Sequence, residues 1–292
     1  MRTVVRRTLI LTGLFFIYSV CVYGQKVSGA SEFRFSSRNT SFPDSIRSKG
    51  YSYDSVFYSA DDHYRDSSVL VIVPKNLERR SKVDLVFWFH GWRNNIDTAN
   101  RFYEIEKQFL ASHKNAVLVL AETAKNAPDS YGGKLEQKGR FNALVNDVLD
   151  QLKAKRRISK RAVAGQITLA GHSGAYRVIA SILAVGESPV SRVILFDALY
   201  GQTDKFMSWV KADSTHQFVN WYTNKGGGTD DVSIQMMRQL KELGLPFQLV
   251  EEANVDGNIV KANRILFVHS PREHNIIINQ PDNLELVLKA GK

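Results

Sequence analysis

The chain has 292 residues, 43% of them hydrophobic and 11% aromatic, which is enough to bury a sizeable core and too apolar for a disordered segment. Its formal charge of +10 is spread along the sequence apart from one dense run, Lys153 to Arg161. That run follows an amphipathic segment and reads as a solvated helix end, and without a nucleic-acid-binding motif it gives no case for a nucleic-acid partner.

The N-terminus opens with a basic segment holding Arg2, Arg6 and Arg7, then the apolar run "TLILTGLFFIYSVCVYG". This is the pattern of a signal peptide over residues 1–24, cleaved near Gly24–Gln25, which places the protein in a periplasm or outside the cell. An uncleaved anchor is the alternative, and a lipoprotein at Cys21 is disfavoured by Val20 before it. Cys21 is the only cysteine, so the mature chain would have no disulfide, cysteine nucleophile or thiolate metal site. After cleavage no stable membrane span is expected.

Residues 25–50 are rich in Ser, Arg and Asn with little periodicity and read as an N-terminal arm. A single domain is expected over residues 51–292. "YSYDSVFYS" and "SVLVIVP" read as strands, and "VDLVFWFHG" as a buried strand ending at His90-Gly91. "DTANRFYEIEKQFLASHK" is expected to be helical, with Asp97 as N-cap. "AVLVLAE" is another buried strand, and "RFNALVNDVLDQLKAK" puts Phe141, Leu144, Val145, Val148, Leu149 and Leu152 on one helical face. Then come a strand ("QITLA"), a helix from about Val178, a strand ("RVILFDAL"), a helix ("TDKFMSWVK"), a strand ("HQFVNWYTN"), a helix ("DDVSIQMMRQLKELG"), a strand ("RILFVHS") and a last helix ("DNLELVLK"). Continuous apolar strands alternating with amphipathic helices predict an α/β fold, a mostly parallel sheet covered on both faces. Ligands in such sheets bind at the carboxyl ends of the strands.

Chemistry is concentrated in "AGHSGAYR". Ser173 stands at a strand-to-helix bend framed by Gly171, Gly174 and Ala175. A serine on so sharp a turn needs small neighbours, and the helix start beneath it offers backbone N–H groups to a developing oxyanion. The other reading is a serine that caps a helix. With its strand before and helix after, the segment resembles the G-x-S-x-G nucleophile elbow of the α/β-hydrolase fold, Ala175 replacing the last glycine. His90-Gly91-Trp92, ending an upstream strand, is similar to the His-Gly motif of that fold.

The resemblance implies an esterase- or lipase-like serine hydrolase with Ser173 as nucleophile. It also implies an oxyanion hole of the backbone N–H groups of Trp92 and Gly174, with His90 anchoring their loop. The base is expected after the last strand, where His274 is preferred to His269; His172, beside the serine, is expected to point away from it. For the acid, chain order leaves Asp197, ending "VILFD", and Asp230 with Asp231, which also read as helix N-caps. Asp197 is preferred and Asp230 is the alternative. Tyr200, Phe206, Trp209 and Tyr222 either line a pocket or belong to the core. Neither metal-ligand spacing nor a phosphate-binding loop is present, and no cofactor is expected. The expected substrate is a small-molecule or envelope-derived ester, with amide or peptide cleavage and non-catalytic binding as alternatives. No residue pattern specifies an oligomeric state.

Overall fold

In the computed structural model, residues 29–291 are described; the expected signal segment, its cleavage point and Cys21 lie outside the described residues. The strands, in chain order, are β1 (Ala30–Ser36), β2 (Tyr51–Tyr53), β3 (Val56–Tyr58), β4 (Ser68–Pro74), β5 (Lys82–Phe89), β6 (Ala116–Ala121), β7 (Val163–His172), β8 (Val190–Phe196), β9 (Gln217–Tyr222), β10 (Gln248–Glu251) and β11 (Ile265–His269). The helices are α1 (Ala60–His63), α2 (Ile96–Phe102), α3 (Ile105–Ala111), α4 (Arg140–Ala154), α5 (Tyr176–Val185), α6 (Thr203–Ala212), α7 (Thr229–Glu242), α8 (Gly257–Ala262) and α9 (Asn283–Ala290).

Nine strands form one sheet in the order β1-β4-β6-β5-β7-β8-β9-β11-β10. Pairing is parallel from β6 through to β10, while β1 and β4 run antiparallel to their neighbours. The central strands are apolar on both faces because helices cover both: all six residues of β6 are buried. On one side Leu85, Phe87, Leu169 and Leu195 pack with α4, α5, α6 and α7; on the other Val86, Trp88, Ala170 and Ile194 pack with α2, α3, α8 and α9. The six residues assigned to the inner face of α4 are all buried. This is the mostly parallel, doubly covered α/β sheet expected from the alternation of elements.

Several local elements differ from the sequence reading. Part of the supposed N-terminal arm is β1, which pairs with β4 over its whole length. Its alternation is short and half-exposed, with Phe33 and Phe35 turned to the core, so it carries a weak signal. "YSYDSVFYS" is a hairpin, β2 and β3, turning at Asp54 and Ser55, both at positive φ. The long helix at residues 97–114 is broken into α2 and α3 at Glu104, which has φ +52°. Asn95, not Asp97, caps α2, accepting from the N–H groups of Asp97 and Thr98.

The chain leading from β1 is pinned beside the loop after β6. Phe42, Tyr64 and Tyr131 pack together, and Arg47 lies 4.3 Å over Tyr51 and 5.0 Å over Tyr131 while pairing with Asp129 at 2.7 Å. No helix among the described residues is long and apolar enough to cross a membrane.

Candidate active site

The carboxyl ends of β5, β7 and β8 and the loop after β11 meet at one edge of the sheet. β7 runs into a 3-10 turn, Ser173–Ala175, and then α5. Ser173 has φ +55°, a conformation that costs a side-chain-bearing residue about 1–3 kcal/mol and that needs surrounding contacts to hold it. Those contacts leave room for no more atoms. A Cβ on Gly171 would lie 2.6 Å from the Ala175 Cβ, so the first glycine makes the space that alanine fills in place of the last. A Cβ on Gly174 would lie 2.5 Å from the Trp92 ring.

His274 faces Asp197 across this edge, with Nδ1 2.5 Å from Oδ2. Asp197 is fully buried and itself held at positive φ, +43°. Its other oxygen accepts from the Thr223 N–H and from the Thr229 hydroxyl. The Thr223 hydroxyl donates to the Arg272 carbonyl, fastening the histidine loop to the end of β9. Nδ1 is therefore committed to the acid, leaving Nε2 as the ring atom available to a reacting group. Asp230 and Asp231 lie in the first turn of α7, whose N-cap is Gly228, where their charge suits the helix dipole. His269 ends β11 and bonds Glu251 at 2.8 Å. The geometry thus joins His274 with Asp197 and leaves His269 and Asp230 elsewhere.

The His90-Gly91-Trp92 turn packs directly on Ser173: a Cβ on Gly91 would come within 2.6 Å of the Ser173 Cβ and 3.1 Å of its Oγ. His90 is buried, with Nδ1 2.8 Å from the Gly91 carbonyl and Nε2 2.6 Å from Glu122. The second Glu122 oxygen accepts from the Ile96 N–H, so one carboxylate holds both the turn and the start of α2. Glu122 carries no motif and was invisible in the sequence except as the last residue of an apolar strand. Trp92 donates from its ring to Ser130 at 2.6 Å and meets Tyr53 edge-on at 5.2 Å, which places the β2–β3 hairpin at the rim.

The His172 ring is turned toward Tyr103 and the His274 loop. It is buried under His274, ring centroids 4.3 Å apart. Nε2 lies 2.9 Å from the His274 carbonyl, which can only accept, so Nε2 carries the hydrogen and Nδ1 accepts from the Tyr103 hydroxyl at 3.1 Å. Burial, and then the neighbouring His274, push its pKa down to about 3, so the ring stays neutral beneath the second histidine. The available signal was the alternation of β7, which puts His172 on the face of Ala170, the face that also packs Ile277 and Ile278 beyond the histidine loop.

Of the four aromatics, Phe206, Trp209 and Tyr222 are core residues. Tyr200 is at the site: its ring lies 6.4 Å from that of His274, and burial together with the Asp197 charge raises its hydroxyl to about 12, so it keeps its proton at neutral pH.

Two outcomes test these supports. Glu122→Ala removes the carboxylate that joins His90 to the Ile96 N–H, leaving Nε2 with the Thr123 hydroxyl, and is expected to cost about 1–3 kcal/mol in denaturant unfolding; an unchanged midpoint would show that the pair does not hold the turn. For His172, the folded pKa is depressed, so between about pH 6.5 and pH 3 the unfolded chain binds the proton and the folded chain does not. Stability should therefore fall as pH drops through that window, by up to about 1.4 kcal/mol per unit, and His172→Gln should flatten the slope.

No protein-family model and no curated protein sequence matches the chain. Solved structures do. A ferulic acid esterase is similar at TM-score 0.56 and 10% identity, over 90% of this chain and 98% of that one. A mutant of the feruloyl esterase module from Clostridium thermocellum, complexed with sinapinate, is similar at TM-score 0.54 and 8% identity, over 90% and 88%. The fluorophosphonate-binding serine hydrolase FphF of Staphylococcus aureus is similar at TM-score 0.50 and 12% identity, over 90% and 100%. Taken with the strand order and the turn at Ser173, these likenesses identify the architecture of this chain as the α/β-hydrolase fold.

Proposed function

We propose that the protein is an exported serine hydrolase that cleaves carboxylic esters through an acyl-enzyme. The observation that carries this reading is the strained turn at Ser173, φ +55°, whose preceding residue His172 packs its ring 4.3 Å from that of a His274 bonded to the buried Asp197. Ser173 Oγ attacks the ester carbonyl carbon as His274 Nε2 takes its proton. The negative charge that forms on the carbonyl oxygen is received by the backbone N–H groups of Trp92 and Gly174. Asp197 keeps Nδ1 protonated and offsets the imidazolium charge. His274 then gives its proton to the departing alkoxide, and water, activated by the same nitrogen, releases the acid. No cofactor enters this cycle.

Aromatic surroundings favour an aromatic acyl group within this class. Tyr200 stands 6.4 Å from the His274 ring and 5.9 Å from the ring of Tyr176, and Trp92 is 42% exposed next to Tyr53. Two of the similar structures are named for ferulic or feruloyl esters. A peptidase or amidase reading would use the same residues with a poorer leaving group.

The test is labelling by a fluorophosphonate probe together with hydrolysis of p-nitrophenyl acetate and methyl ferulate. Wild-type protein should be labelled and should turn over at least one ester; Ser173→Ala should abolish labelling, and Asp197→Asn should lower kcat by about 10⁴-fold while Asp230→Asn leaves it nearly unchanged. Gly91→Ala should suppress labelling in a protein whose circular dichroism is unaltered. No labelling of folded wild-type protein would leave a binding protein on a hydrolase fold, and strong loss in Asp230→Asn alone would reassign the acid.

A further inference from the structure

The end of the sheet opposite Ser173 carries the dense basic run of the sequence, Lys153 to Arg161, for which the proposed chemistry has no use. In the structure this run is the end of α4 and the turn into β7. Lys155, Arg156, Arg157, Lys160 and Arg161 are exposed, while Ile158 and Ala162 between them are buried and anchor the turn to the core. A second loop, Glu78 to Lys82, lies against it. The Val163 N–H donates to the Ser81 carbonyl at 3.0 Å, and the Arg79 guanidinium donates to the Arg156 carbonyl at 3.4 Å. Arg79, Arg80 and Lys82 are exposed too. Folding thus joins two stretches 77 residues apart into one cationic surface. Their own acids offset little of it: Glu78 pairs with Arg80 and Asp150 with Lys153, and neither stretch holds another carboxylate.

The way the chain enters the fold says what meets this surface. β1 starts at the same end of the sheet: Ala30 is in register with Pro74, and the Gly29 carbonyl accepts from the Lys75 N–H at 3.0 Å. Lys155 ties the basic turn to that strand, its ammonium 4.9 Å over the Phe33 ring. In the sequence the apolar run of residues 8–24 stands four residues before Gly29, a reach of at most about 18 Å. A bilayer holding that run, during export or after it, would meet this end of the sheet. Val163, 53% exposed beside the cations, adds an apolar contact. Neither basic stretch contains an aromatic side chain on which a nucleic-acid base could stack.

We infer that the two basic loops dock the protein on a membrane surface rich in anionic phospholipid, their guanidinium and ammonium groups set against the headgroup phosphates. β7 is ten residues long, about 33 Å at the rise of a strand, so the Ser173 turn at its other end faces away from the bilayer. The inference stands whether or not the esterase reading holds.

Co-sedimentation of the full chain with vesicles of phosphatidylcholine, with and without phosphatidylglycerol, tests it. Wild-type protein should bind the anionic vesicles at least about tenfold more tightly than the neutral ones, and the excess should fall as ionic strength rises. Each basic side chain at such a surface is worth about fivefold in partitioning. The combined variant Arg156→Glu, Arg157→Glu, Lys160→Glu, Arg161→Glu should therefore lose the excess, with its circular dichroism unaltered. A control of equal charge change at the other end of the sheet, Lys49→Glu, Arg93→Glu, Lys138→Glu, Lys225→Glu, should keep most of it. Both variants retain the apolar run and its arginines, so the difference between them reads the patch alone. The inference fails if wild-type protein shows no preference for anionic vesicles, or if the two variants lose binding equally. It fails too if a DNA duplex binds the patch more tightly than the vesicles do, which would make the partner a nucleic acid.

Discussion

The buried carboxylate of Asp197 is the constraint on which the candidate site depends. It ends β8 with no exposed surface, in a position where an uncompensated charge would cost several kcal/mol. Everything around it supplies compensation: the Thr223 N–H, the Thr229 hydroxyl and the His274 ring all donate to it. Three separate segments, the end of β9, the start of α7 and the loop after β11, are thereby drawn to one point. The histidine has its Nδ1 fixed by this demand, and its free nitrogen follows from it.

The rest of the site is held from beneath by groups that no reacting atom needs to touch. His90 and Glu122 fix the turn that packs on Ser173, and His172 carries the backbone of His274 on a neutral, fully buried ring. These are hydrogen bonds between strand ends and loops, and they explain how flexible connections can hold a strained serine and a half-exposed histidine in register. Gly171 and Gly91 add a steric condition, because each lies where a single extra carbon would strike the serine turn.

The two ends of the sheet carry unlike electrostatics. At the carboxyl ends of the strands the buried charges, Asp197 and Glu122, each have several donors. At the amino ends the guanidinium of Arg192 has no hydrogen-bond acceptor among the described residues. Burying a cation without hydrogen-bond partners carries an energetic cost.

The sequence by itself determined the architecture and the candidate nucleophile, because both are written locally. Runs such as "AVLVLA" and the spaced apolar face of α4 report burial by periodicity, and the turn at Ser173 needs small residues at fixed offsets. Strand β1 and the break between α2 and α3 were not legible: a half-exposed edge strand has little alternation to read, and the break rests on one positive φ at Glu104. Chain order could narrow the acid to Asp197 or Asp230, but only the tertiary structure decided which of them meets His274. That contact spans 77 residues and depends on how β8, β9 and β11 line up across the sheet, information no local pattern contains. Glu122, His172 and Arg192 belong to the same class: each is ordinary in its own stretch of sequence and acquires meaning from the partners, or the lack of them, that folding brings to it.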